Sequence, residues 1–186
     1  MKTPPSAAAL AAMALTLAAC GGGGHEDAAP KPTTYANHGI TVTLPAGWQR
    51  AARSLTPDLV EPREVVAAGT YPLRYRETSC SHMPGSALED LGPRDAFVTL
   101  MERPRGTASK GFPPRPEDFA PRLGGGRAGS DAVDCVPNAR FTDHWFTFSD
   151  AGRRFHVLVA FGPKASAATR SEAAEILDGL RIAARR

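Results

Sequence analysis

Two runs of alternating residues, Ala139 to Phe148 and Arg153 to Phe161, stand on either side of Ser149-Asp150-Ala151-Gly152. Apolar and polar side chains that alternate with period two mark strands. A short turn ending in Gly, which accepts positive φ at no steric cost, marks a hairpin. Phe155, Val157, Val159 and Phe161 share one face of the second strand, and His156, Leu158 and Ala160 share the other. A strand that is largely apolar on both faces has to be covered on both, so it belongs inside a sheet rather than at its edge.

The flanking sequence supplies the rest of a sheet and one helix. A helix is expected from about Ala165 to Leu180, with Ala173, Ile176, Leu177 and Leu180 on one face. Gly179 and the basic residues Arg181, Arg185 and Arg186 suit its C-terminal end. Upstream, Gly39 to Leu44 alternates as a half-buried strand, and Pro45-Ala46-Gly47-Trp48 turns the chain so that Trp48 packs back. Arg63 to Leu73, with Val65, Val66 and Tyr71, reads as a second strand, and Ala96 to Met101 is an apolar run of strand length between Pro93 and Pro104. Ser86 is the expected N-cap of a short helix reaching Leu91. Arg103 to Gly129 holds Pro104, Pro113, Pro114, Pro116 and Pro121 and Gly124-Gly125-Gly126. It reads as an irregular segment with little to give a core and as the region for partner contacts. The fold class expected is α+β, an antiparallel β-sheet with a C-terminal helix packed on one face, in a single domain over residues 35–186.

Two of these features occur together in known proteins. A strand followed by Leu44-Pro45-Ala46-Gly47-Trp48, and a terminal hairpin and helix followed by Ile176-Leu177-Asp178-Gly179-Leu180-Arg181-Ile182, are similar to exported actinobacterial proteins. More distantly the pattern resembles the PsbP-like α/β/α sandwich. That resemblance implies accessory or binding roles more than catalysis. It touches about a fifth of the chain and transfers no functional residue, since a fold does not carry a function.

The N-terminal residues read as a targeting segment. Met1-Lys2-Thr3-Pro4-Pro5-Ser6 precedes an uncharged run of 13 residues, Ala7 to Ala19, and then Cys20. A charged start, a short apolar stretch and small residues before a cut describe a secretory signal. As a helix the run is about 20 Å long, too short for a ~30 Å hydrocarbon core. Leu17-Ala18-Ala19-Cys20 resembles the lipobox of bacterial lipoproteins. The resemblance implies cleavage after residue 19 and a diacylglycerol on the Cys20 sulfur. Each buried methylene contributes about 0.8 kcal/mol, and two acyl chains hold stably where one holds marginally. Residues 20–34, with Gly21 to Gly24, Pro30 and Pro32, then read as a lipidated flexible tether about 20 Å long on average.

If Cys20 carries lipid, Cys80 and Cys135 remain as a pair in an oxidising compartment. A disulfide between them is the expectation. Two buried thiols, or a metal site adding His82, are the alternatives, although Cys-x-His is not a usual zinc spacing.

The chemistry elsewhere is sparse. The formal net charge is +3, or +2 without Lys2, with 18 arginines and four lysines and no basic run that would mark a nucleic-acid partner. There is no Gly-x-Ser-x-Gly, and Gly124-Gly125-Gly126 lacks the lysine of a phosphate loop. His25 falls in the tether. His144 and His156 fall on the two strands of the hairpin, where they could face one another, with Asp143 beside them. No catalytic residue, cofactor or metal ligand is assigned on this basis. The expectation is a non-enzymatic module, lipid-anchored to the outer face of the cytoplasmic membrane, that binds an envelope protein or a small ligand. The alternative is a small exported hydrolase built around His144, His156 and Asp143.

Overall fold

The hairpin lies at the heart of the structure, a computed structural model that describes residues 31–80, 82–106, 108–124, 127–128, 135–136 and 140–185. The proposed signal, Cys20, most of the tether with His25, Gly125, Gly126, Gly129, Ala139 and Arg186 lie outside the described residues. Strands β7 (Thr142–Asp150) and β8 (Arg153–Phe161) turn through Ala151 at φ 49° and Gly152 at φ 72°. Positive φ at both central residues is what a type I′ turn requires, and that turn matches the twist of the strands.

β8 is an interior strand, as its two apolar faces demand. The main sheet has the order β3 (Gln49–Arg50), β4 (Arg63–Gly69), β5 (Ala96–Glu102), β8, β7, β6 (Arg127–Ala128), and every pair is antiparallel. β5 is buried along its whole length. A second sheet of three strands places β2 (Ile40–Leu44) between β1 (Thr33–Asn37) and β9 (Arg181–Ile182). β1 begins two residues inside the expected tether, and the hairpin to β2 turns at His38 and Gly39, again both at positive φ.

One face of the main sheet carries the larger core. Phe148, Phe155, Val157, Val159 and Phe161 meet Ile40, Val42 and Leu44 of β2 and the apolar stripe of helix α2 (Ala167–Asp178). Ala173, Ile176, Leu177 and Leu180 are all buried, as the periodicity predicts. Trp48 packs into this core and donates its indole N–H to Glu172 of α2 at 2.9 Å. The opposite face carries Phe97, Leu158 and Ala160, covered by Tyr71, Met83 and the short helix α1 (Gly85–Asp90). The chain is therefore α+β, antiparallel sheets with a C-terminal helix on one face. Among the described residues no helix is long and apolar enough to cross a membrane.

Three expectations need correction. Ser86 does not cap α1: Pro84 holds that position, and the Ser86 hydroxyl is buried inside the helix. α2 ends at Asp178, and the basic residues after it do not cap it. Arg181 enters β9, while Arg115 donates to the carbonyls of Leu177, Asp178 and Leu180 at 2.6–2.8 Å. The segment after Arg103 is also not peripheral. Phe119 is 0% exposed in the larger core, and Leu123 joins it from a 3-10 turn over Ala120–Leu123. Prolines remove hydrogen-bond donors, but they do not stop a neighbouring aromatic ring from filling a core.

Candidate functional site

The register of β7 against β8 decides what the histidines can share. His144 stands opposite Val159, and His156 opposite Thr147. Residues paired across strands point to one face, and the two histidines are three rungs out of step. An odd offset puts them on opposite faces. His144 lies on the α2 side with its ring 5.6 Å from that of Phe161, and His156 lies on the other with its ring edge against Phe112. Asp143, opposite Ala160, shares the face of His156 but stands four rungs away, about 13 Å along the strand. The expected meeting of His144, His156 and Asp143 does not occur.

Each imidazole has a different occupation. His144 is buried, and its Nδ1 donates to the Arg122 carbonyl at 3.2 Å. Burial, then the charge of Arg170, lowers its pKa and keeps the ring neutral. His156 accepts at Nε2 from the Arg103 Nε at 2.8 Å, and burial and that same arginine hold it neutral. A neutral ring is the only form that can accept there. His156 thus holds Arg103 in place.

The residue before Arg103 is the centre of an assembly that sequence reading missed. At the end of β5, Glu102 is buried with its carboxylate shared among three guanidinium groups. Arg153 donates at 2.7 Å, Arg63 at 2.9 Å and Arg185 at 2.5 Å. Arg153 is itself buried and also reaches the carbonyls of Ala183 at 3.2 Å and Gly39 at 3.4 Å, which ties the main sheet to the small one. Burial raises the Glu102 pKa, but the bonds from Arg153, Arg185 and Arg63 outweigh it and hold the carboxyl at about 2. A β-bulge in β4 makes this possible. Val66 pairs with Leu100 and Glu64 with Met101, so Val65 is the extra residue and Arg63 comes opposite Glu102. Without the bulge Glu64 would stand there, carboxylate against carboxylate.

Beside this assembly is a recess of about 80 Å³ lined by the stretch from Glu102 to Gly106, by Gly152, Arg153 and Arg154, and by Arg185. Five arginines line it against one acid. His38, on the turn nearby, has its pKa lowered by burial and then by the charge of Arg63. A second recess, of about 100 Å³, lies between Leu55–Asp58 and Tyr75–Cys80 and has mixed charge, with Asp58 and Glu77 beside Arg76. Neither is large enough to enclose a drug-sized ligand, which needs roughly 300 Å³ or more.

Cys80 and Cys135 are joined as a disulfide with Cα atoms 5.3 Å apart. Their sulfurs are therefore not thiolate ligands, and His82 has no metal site to complete. Among the described residues no group of three or more His, Cys, Asp or Glu side chains is placed to hold a metal ion. The bond fastens the cover of the smaller core to the segment before β7.

Glu102-Arg103 and Arg153-Arg154 carry a signal in the sequence, charged pairs directly after an apolar run and directly after a turn. Their meeting becomes visible only once β5 is paired with β8, where Glu102 stands opposite Phe155. No family model matches the chain, and no curated protein matches it.

Proposed function

We propose that this chain is a lipid-anchored cell-envelope protein whose folded part binds an envelope partner or a small ligand without chemistry of its own. The signal would be residues 1–19, the anchor a diacylglycerol on Cys20, and the site of action the outer face of the cytoplasmic membrane. The observation that carries this reading is the Cys80–Cys135 disulfide. Disulfides persist in oxidising compartments and are rare where thiols are kept reduced. The pairing leaves Cys20, at the end of the lipobox-like Leu17-Ala18-Ala19, as the one cysteine available for lipid. The first strand starts at Thr33, which leaves a Gly- and Pro-rich reach of about 20 Å between anchor and fold. The resemblance to PsbP-like α/β/α sandwiches implies an antiparallel sheet with helices on its faces, and α2 and α1 pack on the larger and smaller cores. Binding is favoured over hydrolysis because the histidines and Asp143 stand apart, whereas a recess lined by fixed charges is assembled.

Cys20→Ser tests the anchor. The variant should lose incorporation of a fatty-acid analogue and leave the membrane fraction, or accumulate as uncleaved precursor. Labelling equal to that of the unaltered protein would overturn the reading.

A further inference from the structure

We propose that Glu64 is a clasp, and that ionisation of its carboxyl releases residues 54–59 from the sheet and opens the recess between them and residues 75–80. Among the described residues, the hydrogen bonds that join 54–59 to the sheet all end on this one carboxyl. The Leu55 N–H donates to it at 3.1 and 3.2 Å, and the Thr56 hydroxyl at 3.4 Å. The stretch otherwise bonds to itself, the Thr56 N–H to the Ser54 hydroxyl and the Leu59 N–H to the Thr56 carbonyl. Just beyond it Val60 is 75% exposed, so packing does not hold that end. Leu55, Thr56, Pro57 and Asp58 form one wall of the recess of about 100 Å³. The clasp goes beyond the binding-module reading and does not depend on the anchor.

The tie suits a neutral carboxyl and not an ionised one. Glu64 is half-buried, and its partners are a backbone amide and two hydroxyls. A neutral carboxyl has one O–H to give, and a hydroxyl can accept it while the amide bond remains. An ionised carboxyl only accepts, and burial without a cation penalises its charge. The charged groups on the elements around it supply no such cation. Arg63, next in the chain, is bonded to Glu102. On β5 the residue opposite is Met101, and one strand further His156 is neutral and bonded to Arg103. On the loop itself Arg53 lies over the Tyr75 ring, and Asp58 and Glu61 are exposed acids. Across the recess Arg76 is bonded to Glu89 and Asp90, and Glu77 is exposed. Burial therefore dominates, and the carboxyl is pushed up to about 7. Lifting residues 54–59 lets water reach the carboxylate, which then regains its ordinary acidity. At low pH the buried Leu55 side chain and the bonds to Glu64 keep the stretch down. As the proton passes to water, the charge left behind works against them.

The test is hydrogen exchange of the full chain in detergent micelles, with each rate divided by the intrinsic rate at that pH. Peptides covering residues 54–59 are compared with peptides covering 155–161 of the interior strand β8, which report opening of the whole sheet. Residues 54–59 should be less protected than 155–161 at every pH, because they open alone. Their protection should fall roughly 70-fold from about pH 5 to about pH 8 and level off above 7, the change for a group that moves from about 7 closed to 4.5 open. Glu64→Gln keeps an acceptor for the Leu55 N–H but cannot ionise, so protection of 54–59 should stay level with pH in that variant. In the unaltered chain, carrying ¹³C at the glutamate side-chain carboxyls, the Glu64 resonance should titrate well above 4.5, a readout independent of any variant. A Glu64 midpoint near 4.5, protection of 54–59 that does not change with pH, or the same pH dependence in Glu64→Gln would each overturn the proposal. So would exchange at 54–59 no faster than at 155–161, since the stretch would then open only with the whole fold. None of these results bears on fatty-acid labelling of Cys20, so the anchor stands or falls separately.

Discussion

Glu64 and Glu102 sit on neighbouring strands, and their carboxyls are displaced in opposite directions. Burial raises both. At Glu102 three arginines reverse the effect and hold the group at about 2. At Glu64 the partners are the Leu55 N–H and the hydroxyls of Thr56 and Ser54, which are too weak to compensate, and burial leaves it at about 7. Both start from 4.5 in the unfolded chain. The lowered group contributes stability above pH 4.5 that is lost as pH falls towards 2. The raised group contributes stability below pH 4.5 that is lost as pH rises through 7. Glu64→Gln keeps an acceptor for Leu55 but cannot ionise. Relative to the unaltered chain it should therefore gain stability from pH 5 to about pH 7 and level off above that, by at most about 3 kcal/mol at ~1.36 kcal/mol per pKa unit. His144 and His156, both lowered, act with the opposite sign but cancel in the difference between the two proteins. Urea denaturation at several pH values measures it, and a pH-independent difference would refute the assignment.

At the scale of elements, the segment after Arg103 changes most from its reading in the sequence. Phe119 lies among Phe146 and Phe148, ring centroids 5.5–5.6 Å away, and its N–H donates to the Asp178 side chain at the end of α2. Arg115 caps the same helix end. Phe119→Ala should cost about 3–5 kcal/mol, the range for emptying an aromatic site in a packed core. Loss below about 1 kcal/mol in chemical denaturation would show that the segment only rests on the core. The reason it was illegible is physical. Periodicity reports elements whose side chains repeat, and Phe119 and Leu123 enter the core singly, from a loop and a 3-10 turn. The hairpin, the interior place of β8 and the buried face of α2 were legible because alternation and 3.6-residue spacing write burial directly into order. The Glu102 cluster was not, because it depends on a bulge that moves Arg63 by one place and on residues from four separate stretches.

The whole molecule is held as two cores on one sheet. The larger is closed by α2 and the small sheet, and the smaller by α1 and the turns around it, to which Cys80 belongs. The disulfide spans 55 positions. By the chain-entropy relation it restricts the unfolded state by about 4 kcal/mol. Cys80→Ser with Cys135→Ser should lower the midpoint of thermal unfolding, and the unaltered, unreduced protein should present neither thiol to a thiol reagent. Two reactive thiols under those conditions would exclude the bond. The small sheet adds a constraint of another kind. β2 is bordered on one side by its immediate neighbour β1 and on the other by β9, where Ile40 meets Ile182. Arg185 then reaches back to Glu102. A chain delivered N-terminus first therefore carries an open strand edge for some 140 residues after β2, and an acid short of its third arginine for some 80 residues after Glu102. The order of manufacture and the order of closure are opposed, and a pause before residue 181 would leave β2 as the exposed edge on which nascent copies could join.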